Sequence, residues 1–533
     1  MKRHLFTSFC VIAALSASAQ ETYENAKLLG DDLNGTARFV GMGGAMGALG
    51  ADISTIGTNP AGIGLFRHST ANVSFGVVSQ QTDNNFSIGD KTKMSFDQAG
   101  FVYSARSGRN SFINVAFNYH KSKNFNQILS AAGRLEGASQ NKLSYAKGAE
   151  GLFDLSTSSG EVYSEDLTFN ALDYLYYNTL LYSENANNEP VFLYTEADGY
   201  KFGRANTGYI SDYDFNVSGN INDRVYLGLT VGIHDVHYRG SSIYSESLVR
   251  TAGSGFDAVD IIDSRSITGT GFDVKAGAIF RPFENSPFRI GVSVATPIWY
   301  DLTTENTTVV SVAENPRGGA SVPGTSLPMT DGNVFSSYDF KLTTPWKFGL
   351  GLGTTVGDYL ALGAEYEYAD YGSTDTRINT GYDWYYDTES SSSDDEMNDH
   401  TEKTLKGVST LKLGAEYKPM KNLAIRLGYN YVSPMYEKDG YKDVTLWSPG
   451  TYYSSTSDYT NWKSTNRITC GFGYNVGKLS LDLAYQYTVQ SGEFSPFTNY
   501  FGNEELGISE NVCDAVKVDN KRHQVLLTLG YHF

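Results

Sequence analysis

The strongest constraint on the fold of this chain is an alternation of large apolar residues with small or polar ones. In residues 479–489 the odd positions carry Leu, Tyr and Val, and the even positions carry Ser, Asp, Ala, Gln and Thr. Residues 225–233, 360–368 and 423–431 repeat the alternation. A period of two indicates β-strands. A soluble sandwich does not usually separate its faces so completely in strand after strand, whereas a membrane barrel turns its apolar face to lipid and its small or polar face to the lumen.

Turn-forming residues divide the chain into fourteen predicted strands, an even number as expected for such a barrel. Connections alternate between short and long, which matches periplasmic turns and extracellular loops, and the largest predicted loop covers 121–206. We therefore predict an all-β fold, a 14-stranded antiparallel transmembrane β-barrel over residues 69–533. The predicted strands are 69–79, 97–106, 110–120, 207–219, 223–238, 264–281, 286–301, 336–356, 358–371, 405–418, 422–433, 464–476, 478–490 and 522–533.

The beginning of the sequence has the composition of a secretory signal peptide. A basic start at residues 2–4 precedes an apolar run at 5–15, and residues 17–19 (Ala-Ser-Ala) supply small residues for cleavage. We predict a signal peptide over residues 1–19 and a mature protein in the outer membrane of a Gram-negative bacterium.

The end of the sequence indicates how such a barrel is assembled. Apolar residues at alternate positions lead to the terminal Phe533, and a closing strand of this kind resembles the signal that the barrel-assembly machinery recognises. We expect this machinery, outer-membrane lipid and lipopolysaccharide as partners, and a monomeric protein. The net charge of −18 argues against a nucleic acid partner.

Residues 20–68 form a longer lead-in to the first predicted strand than a simple connection needs. A fourteen-stranded barrel has a lumen wider than its own inward side chains fill. We predict that residues 20–68 form a hatch, or plug, inside this lumen. Its segment GMGGAMGALGADISTIGTNPAG, residues 41–62, is rich in small residues that let backbones approach closely, and its lack of bulky anchors predicts a weakly held hatch.

The long loops carry few signals of chemistry. Residues 394–396 (Asp-Asp-Glu) could supply oxygen ligands to calcium, but a solvated mobile loop is the preferred interpretation, and no metal site or cofactor is predicted. Whether Cys470 and Cys513 form a disulfide is left open. A set of residues at helical spacing predicts an amphipathic helix in the longest loop, either as a cap over the barrel mouth or as an apolar groove. This set is Leu172, Leu175, Tyr176, Thr179 and Leu180.

The hatch sequence ARFVGMGGAMGALGADISTIGTNPAGIG, followed directly by the first strand, resembles the amino terminus of the FadL/TodX-type outer-membrane long-chain fatty acid transporters, also called outer membrane protein transport proteins. The family's Asn-Pro-Ala motif corresponds here to Asn59, Pro60 and Ala61. The resemblance implies a fourteen-stranded barrel, an N-terminal hatch, and passive uptake of hydrophobic small molecules such as fatty acids, released by hatch rearrangement through a side opening. The family's opening depends on a kink in the third strand, but residues 111–121 contain no Gly or Pro. Pro345 in the eighth strand is an alternative position for a break.

The hatch also supplies the candidate ligand-contacting residues. Two arginines, Arg38 and Arg67, flank it and are candidate partners of an anionic head group, although pairing with an inward acid such as Glu365, Glu367 or Glu416 is the preferred interpretation. The candidate apolar contacts are Phe39, Met42, Met46, Leu49, Ile53 and Ile56.

Other functions remain open at this stage. We expect no enzyme, because no nucleophile–base pair or acid pair stands out, and His234 and His237 lie three apart on a predicted strand and so face opposite sides. A protein that binds haem or another hydrophobic ligand is one alternative, and a structural or adhesive barrel is another.

Overall fold

Fourteen antiparallel strands close into a barrel in the computed structural model. It describes residues 21–81, 89–153, 171–184, 187, 190–249, 256–314, 322–326, 335–383, 388–452 and 454–533, so the predicted signal peptide lies outside the described residues. The strands are β1 (Thr70–Gln81), β2 (Thr92–Arg106), β3 (Phe112–Asn124 and Gln127–Arg134), β4 (Ala197–Ile221), β5 (Val225–Leu248), β6 (Phe256–Phe280), β7 (Arg289–Ala295 and Trp299–Glu314), β8 (Phe335–Thr343 and Lys347–Val356), β9 (Leu360–Asp370 and Asp375–Asp383), β10 (Gly407–Met420), β11 (Leu423–Val432), β12 (Tyr459–Val476), β13 (Leu479–Ser495) and β14 (Val516–His532).

Each strand pairs with the next along the chain, and β14 pairs with β1 to close the ring. The predicted fold class is therefore confirmed. The predicted alternation also has the expected orientation: on β13, Leu481 and Leu483 are 44% and 45% exposed on the outer face, whereas Ala484 is 1% exposed on the inner face. Because strands alternate their side chains, the apolar residues of the four alternating segments form an outward band.

The wall on the loop side is higher than predicted. β4, β5 and β6 contain 25, 24 and 25 residues, whereas about 9–11 suffice to cross a bilayer. Residues 127–134 and 197–206, which belong to the predicted loop 121–206, pair with each other as the upper parts of β3 and β4. Above them, helices α3 (Gln140–Ala149) and α4 (Ala171–Tyr176), followed by a π-helical turn (Tyr177–Leu181), pack into one apolar cluster with Phe494 and Phe497.

The helix predicted from Leu172, Leu175, Tyr176, Thr179 and Leu180 is confirmed over residues 171–181, with its apolar side buried in this cluster. The acidic residues 394–396 were predicted to lie in a solvated loop, and this prediction is wrong. Asp394 accepts a hydrogen bond from the Met397 backbone and caps helix α5 (Asp395–Thr404), and its other oxygen accepts one from Ser448. Asp394 is thus used in capping, and no group of three or more metal-ligating side chains occurs in the described residues.

The smaller elements lie in the loops and inside the barrel. Within the described ranges, no helix is both long and apolar enough to span a membrane. The remaining elements are α1 (Thr22–Ala26), α2 (Ala37–Gly41), 3-10 helices Ile53–Gly57, Pro60–Leu65 and Tyr371–Ser373, α6 (Pro449–Tyr452), and short strands Tyr182–Glu184, Pro190–Phe192, Val322–Ser326 and Thr388–Ser393.

Candidate functional site

Residues 21–66 of the predicted hatch lie inside the ring of strands and cross it lengthwise. Helix α1 lies at the loop side, where it contacts α5. Helix α2 packs on β11 to β14, and the two 3-10 helices of the hatch pack on β2 to β6. The hatch therefore contacts both ends of the lumen and most of its wall.

Close backbone contact explains why the hatch and the wall are both rich in glycine. A methyl group at Gly363 of β9 would lie 2.1 Å from the carbonyl oxygen of Ala45. At Gly414 of β10 it would lie 2.3 Å from the carbonyl oxygen of Met42. No side chain fits at these distances, so the inward glycines of the wall are the places where the hatch backbone rests on it.

The Asn-Pro-Ala motif ties the hatch together. The side-chain oxygen of Asn59 accepts a hydrogen bond from the Ala61 backbone at 3.1 Å and so caps the second 3-10 helix, whose first residue is Pro60. The side-chain nitrogen of Asn59 donates to the carbonyl of Gly47 at 2.7 Å. Asparagine is a favourable cap and proline a favourable first helical residue. The motif thus joins two turns of the hatch that lie twelve positions apart.

The two arginines have carboxylate partners, as the preferred interpretation predicted. Arg38 Nε donates to Glu416 Oε2 on β10 at 3.0 Å, and its Nη1 donates to the carbonyl of Ala51 at 2.7 Å. Arg67 pairs with Asp223, in the turn between β4 and β5, which was not among the predicted partners. Glu416 also accepts from Arg426 at 2.7 Å. Arg38 is thus one member of a buried ionic network between hatch and wall.

The six candidate apolar residues are all buried in the hatch. Phe39, Met42, Met46 and Leu49 pack with Ala484 and Leu526 of the wall. Ile53 and Ile56 pack with Val102 and Ala116. Of the six, Phe39 lines the larger cavity described below. Contact of the whole set with a ligand remains a prediction.

A cavity of about 300 Å³ lies between the hatch and the wall. This is the lower end of the range for pockets that hold small organic ligands. Its lining combines aromatic and aliphatic side chains with charged ones. The apolar part includes Leu29, Leu33, Phe39, Phe125, Tyr238, Tyr371, Val408, Met435, Tyr436, Tyr459 and Trp462. The charged part includes Lys27, Asp31, Asp32, Lys123, Arg204, Lys347, Lys412, Arg467 and Arg522.

Asp31 and Asp32, two adjacent acids of the hatch, belong to this lining. Asp31 pairs with Lys347 of β8. Asp32 Oδ1 lies 3.3 Å from Arg467 Nη2 and 3.7 Å from Arg522 Nη2. Burial alone would raise the pKa of the Asp32 carboxyl, but the charges of Arg522, Arg467 and Lys123 outweigh it and hold this pKa below its ordinary value. Both hatch acids are therefore anchored as carboxylates.

A seam opens in the wall between β2 and β3. The two strands pair from Arg106–Phe112 up to Gln98–His120, and beyond that point β3 leaves β2. Hatch residues take the place of the missing partner: the Asp32 backbone N–H donates to the carbonyl of Ser122, and the Asn34 side chain donates to the carbonyl of Lys121 at 3.0 Å and to Asp97 of β2 at 3.1 Å. The absence of Gly and Pro in residues 111–121 thus does not keep β3 regular.

The predicted break at Pro345 is confirmed, and it has a counterpart on the neighbouring strand. β8 is interrupted at residues 344–346 and β7 at 296–298, which contain Pro345 and Pro297. Threonine hydroxyls replace ladder bonds here: Thr296 accepts from the Val274 backbone at 3.0 Å, and Thr344 accepts from the Ile298 backbone at 2.8 Å. A second cavity of about 90 Å³ reaches this break.

Sequence reasoning did not identify Asp31, Asp32 and Asn34. Their signal is visible in retrospect as a polar run at residues 30–34 (Gly-Asp-Asp-Leu-Asn) that precedes the small-residue segment 41–62. Their partners Lys347, Arg467 and Asp97 are distant in sequence and could not be assigned without the barrel register.

No protein-family model matches the sequence, and no curated protein matches it. Solved structures do match its fold. A FadL homologue of Pseudomonas aeruginosa covers 94% of this chain and 99% of its own, at 13% identity and a TM-score of 0.50. The toluene transporter TbuX of Ralstonia pickettii covers 94% and 99%, at 12% identity and a TM-score of 0.45. The CymD monoaromatic hydrocarbon channel covers 95% and 99%, at 10% identity and a TM-score of 0.45. The similarity to the Pseudomonas structure shows that nearly the whole chain has the same fold as this FadL homologue.

Proposed function

We propose that this chain, with the barrel fold of a FadL homologue, is a passive outer-membrane channel for hydrophobic small molecules, in which rearrangement of the hatch gates release. The observation that carries the proposal is the cavity of about 300 Å³ between hatch and wall. One side of it is hatch and the other is barrel, so movement of the hatch changes the size and the openings of the space. Apolar burial drives binding there at about 0.8 kcal/mol per CH₂ group.

The seam between β2 and β3 supports a release route into the membrane. Beyond the Gln98–His120 pair, side chains and backbone of the hatch stand where a neighbouring strand would lie. Withdrawal of Asp32 and Asn34 from β3 removes these hydrogen bonds and leaves a gap between two strands of the wall. A hydrophobic molecule that leaves through this gap enters the apolar band without crossing water.

The proposal includes the cellular setting predicted from the sequence. Residues 1–19 act as the export signal, the barrel-assembly machinery inserts the protein through its closing strand β14, and the outward apolar band faces outer-membrane lipid and lipopolysaccharide. The protein acts as a monomer and without a cofactor. The fatty-acid resemblance of the hatch sequence supports long-chain fatty acids as ligands, and two structures with a similar fold are described as a toluene transporter and a monoaromatic hydrocarbon channel.

Uptake into liposomes tests the proposal. The purified protein is reconstituted, and entry of a labelled long-chain fatty acid and of labelled toluene is compared with entry into empty liposomes. Val408→Trp fills the cavity from β10, and Leu411→Trp places the same side chain on the outer face of the same strand. We expect Val408→Trp to abolish the protein-dependent uptake and Leu411→Trp to leave it unchanged.

Equal uptake by both variants would contradict the cavity as the route, and uptake no faster than into empty liposomes would contradict the channel itself. Retention of the folded band in unheated gel electrophoresis shows that each variant still forms a barrel. A haem titration of the same samples tests the alternative ligand class, since haem binding without fatty-acid or toluene uptake would favour it.

A further inference from the structure

Three cations from three different strands meet the hatch at residues 29–32, and two of them lie within 4.0 Å of the Asp32 carboxylate. Arg467 of β12 and Arg522 of β14 lie 3.3 and 3.7 Å from Asp32 Oδ1. Lys123 of β3 donates to the carbonyl oxygens of Leu29 and Gly30, three and two positions before Asp32 in the chain. All four side chains line the larger cavity.

Positive charge is in excess at this position. The neighbouring acids of the cavity have other cations as partners: Asp31 has Lys347, and Glu367 has Lys412. Asp32 is the carboxylate within 4.0 Å of Arg467 and of Arg522 in the described part of the chain. Buried charges are costly unless they are paired, so two arginines that share one carboxylate, with Lys123 lining the same cavity, attract a further anion.

The same carboxylate also holds the hatch against the seam. Asp32 Oδ2 accepts a hydrogen bond from the Asn124 backbone at 3.0 Å, and the Asp32 N–H donates to the Ser122 carbonyl at 2.8 Å. Arg522 Nη1 donates to the Asn124 carbonyl at 3.3 Å. One aspartate thus connects the cations, the hatch and the part of β3 that has left β2.

We propose that Lys123, Arg467 and Arg522 form a binding site for the anionic head group of an amphipathic ligand, and that Asp32 occupies this site as an internal competitor in the closed state. This inference rests on the proposed function. A head group that takes the place of Asp32 keeps the cations paired and frees Asp32 from them. The apolar body of the ligand lies among the aromatic side chains of the same cavity, and the hatch then loses its contact with β3.

Two fluorescent probes that differ only in charge test the site in the full-length protein. One is an alkyl carboxylate and the other is its methyl ester. Asp32→Asn removes the competitor, and Arg38→Gln is the matched control, because it breaks another ion pair between hatch and wall, with Glu416, at side chains outside the lining of this cavity. We expect Asp32→Asn to strengthen carboxylate binding by roughly tenfold, the scale of one charge interaction, and to leave ester binding unchanged. We expect Arg38→Gln to leave the ratio of carboxylate binding to ester binding unchanged.

The cations are tested separately by Arg467→Gln and Arg522→Gln, with the folded gel band as a check of the barrel. We expect both variants to weaken carboxylate binding and to leave ester binding unchanged. Hydrogen exchange of residues 29–35 should increase on addition of the carboxylate and not of the ester.

Four results would overturn the inference. If Asp32→Asn alters the binding of both probes equally, the substitution has loosened the hatch and has not vacated an anion site. Carboxylate binding that survives both arginine substitutions would show that no anion site exists there. If the unaltered protein binds neither probe, the proposed function is overturned as well. If it binds the ester as well as the carboxylate, the anion site alone is overturned.

Discussion

The Asn34 side chain of the hatch donates a hydrogen bond to the Asp97 carboxylate of β2, with 3.1 Å between nitrogen and oxygen. The same nitrogen donates to the Lys121 carbonyl of β3 at 3.0 Å. One hatch residue therefore spans the two strands at the point where they separate.

Replacement of Asn34 by Ala should make the seam easier to pass. It removes both hydrogen bonds across the seam and leaves the barrel ladder intact, so we expect faster transfer of a hydrophobic fluorophore from the protein to a lipid bilayer. Stopped-flow fluorescence measures this rate. Gln524→Leu is the matched control, since it removes the bond that Gln524 donates to Asn34 and spares the two seam bonds; equal rates in both variants would argue against the seam as the exit.

Replacement of Arg38 by Gln should loosen the hatch without unfolding the barrel. Glu416 keeps Arg426 as a partner, so we expect a loss of about 1–3 kcal/mol in hatch docking. The measurable result is a higher ionic conductance in planar bilayers. Arg67→Gln is the control, because Arg67 pairs with Asp223 in a turn at the edge of the barrel. If the conductance rises equally in both variants, the Arg38 network does not hold the hatch.

Replacement of Gly363 by Ala should displace the hatch from β9. The added methyl group would lie 2.1 Å from the Ala45 carbonyl oxygen, and backbone at that distance must move. We expect increased proteolysis of the hatch with an unchanged folded gel band. Gly471→Ala is the comparison, since its methyl group would meet the nearest atom, Gly41 Cα, at 3.3 Å; a protected hatch in Gly363→Ala would show that the wall does not set this contact.

Acidification should release the first residues of the hatch from the loops. His400 of α5 is hydrogen-bonded to Thr22 and to the Tyr441 carbonyl, and burial lowers the pKa of its ring below the ordinary value, although Glu21 and Asp443 oppose this and Lys403 adds to it. The folded state therefore binds fewer protons than the unfolded state, so this contact is stable above the ordinary histidine pKa and weakens as the pH falls from there toward the lowered value.

Hydrogen exchange of residues 21–26 measures the effect between about pH 7.5 and about pH 5, an interval that begins about one unit above the ordinary histidine pKa and ends about 1.5 units below it. We expect protection to fall with pH in the unaltered protein. In His400→Gln protection should be insensitive to pH over this interval. A fall of the same size in this variant would show that His400 is not the group responsible.

Replacement of Thr344 by Val should destabilise the barrel at the break between β7 and β8. The Thr344 hydroxyl accepts the Ile298 N–H at 2.8 Å, and an unsatisfied backbone donor costs about 1–3 kcal/mol. Equilibrium unfolding in urea, in lipid vesicles, measures the loss. Thr354→Val is the control, because Thr354 lies at an ordinary ladder position opposite Leu362, and it should lower the free energy of unfolding by less than half as much. Equal losses in the two variants would show that the Thr344 hydroxyl is not the cause.

The barrel was predictable because its signal is local. A period of two, short turns and an aromatic end are all visible within a few residues of sequence, and the large residues of β5, β9, β11 and β13 face outward as expected. The function of Asn59 as a cap is equally local, since its partner Ala61 is two residues away.

The seam was not predictable because its cause is remote. β3 has no proline or glycine where it departs from β2. It departs where Asp32 forms alternative hydrogen bonds with the backbone of β3. Likewise, the acidic run at 394–396 has the composition of a solvated loop. It begins a helix because Asp394 caps the first turn and because Thr22 of the hatch forms hydrogen bonds with His400 and Thr401 of the same helix. The conformations of these segments depend on contacts with the hatch inside the barrel, between residues that are distant in sequence.

The inward glycines make hatch and wall a matched pair. Gly228, Gly277, Gly291, Gly363, Gly414 and Gly428 each meet backbone or side-chain atoms of the hatch at distances that admit no methyl group. A chimera that joined this wall to the hatch of another barrel would bring different backbone bends against these six positions and would leave gaps in some places and collisions in others. The inner surface of the barrel therefore fits the hatch of this chain in particular. We expect substitutions in the hatch and in the wall to accompany each other during evolution.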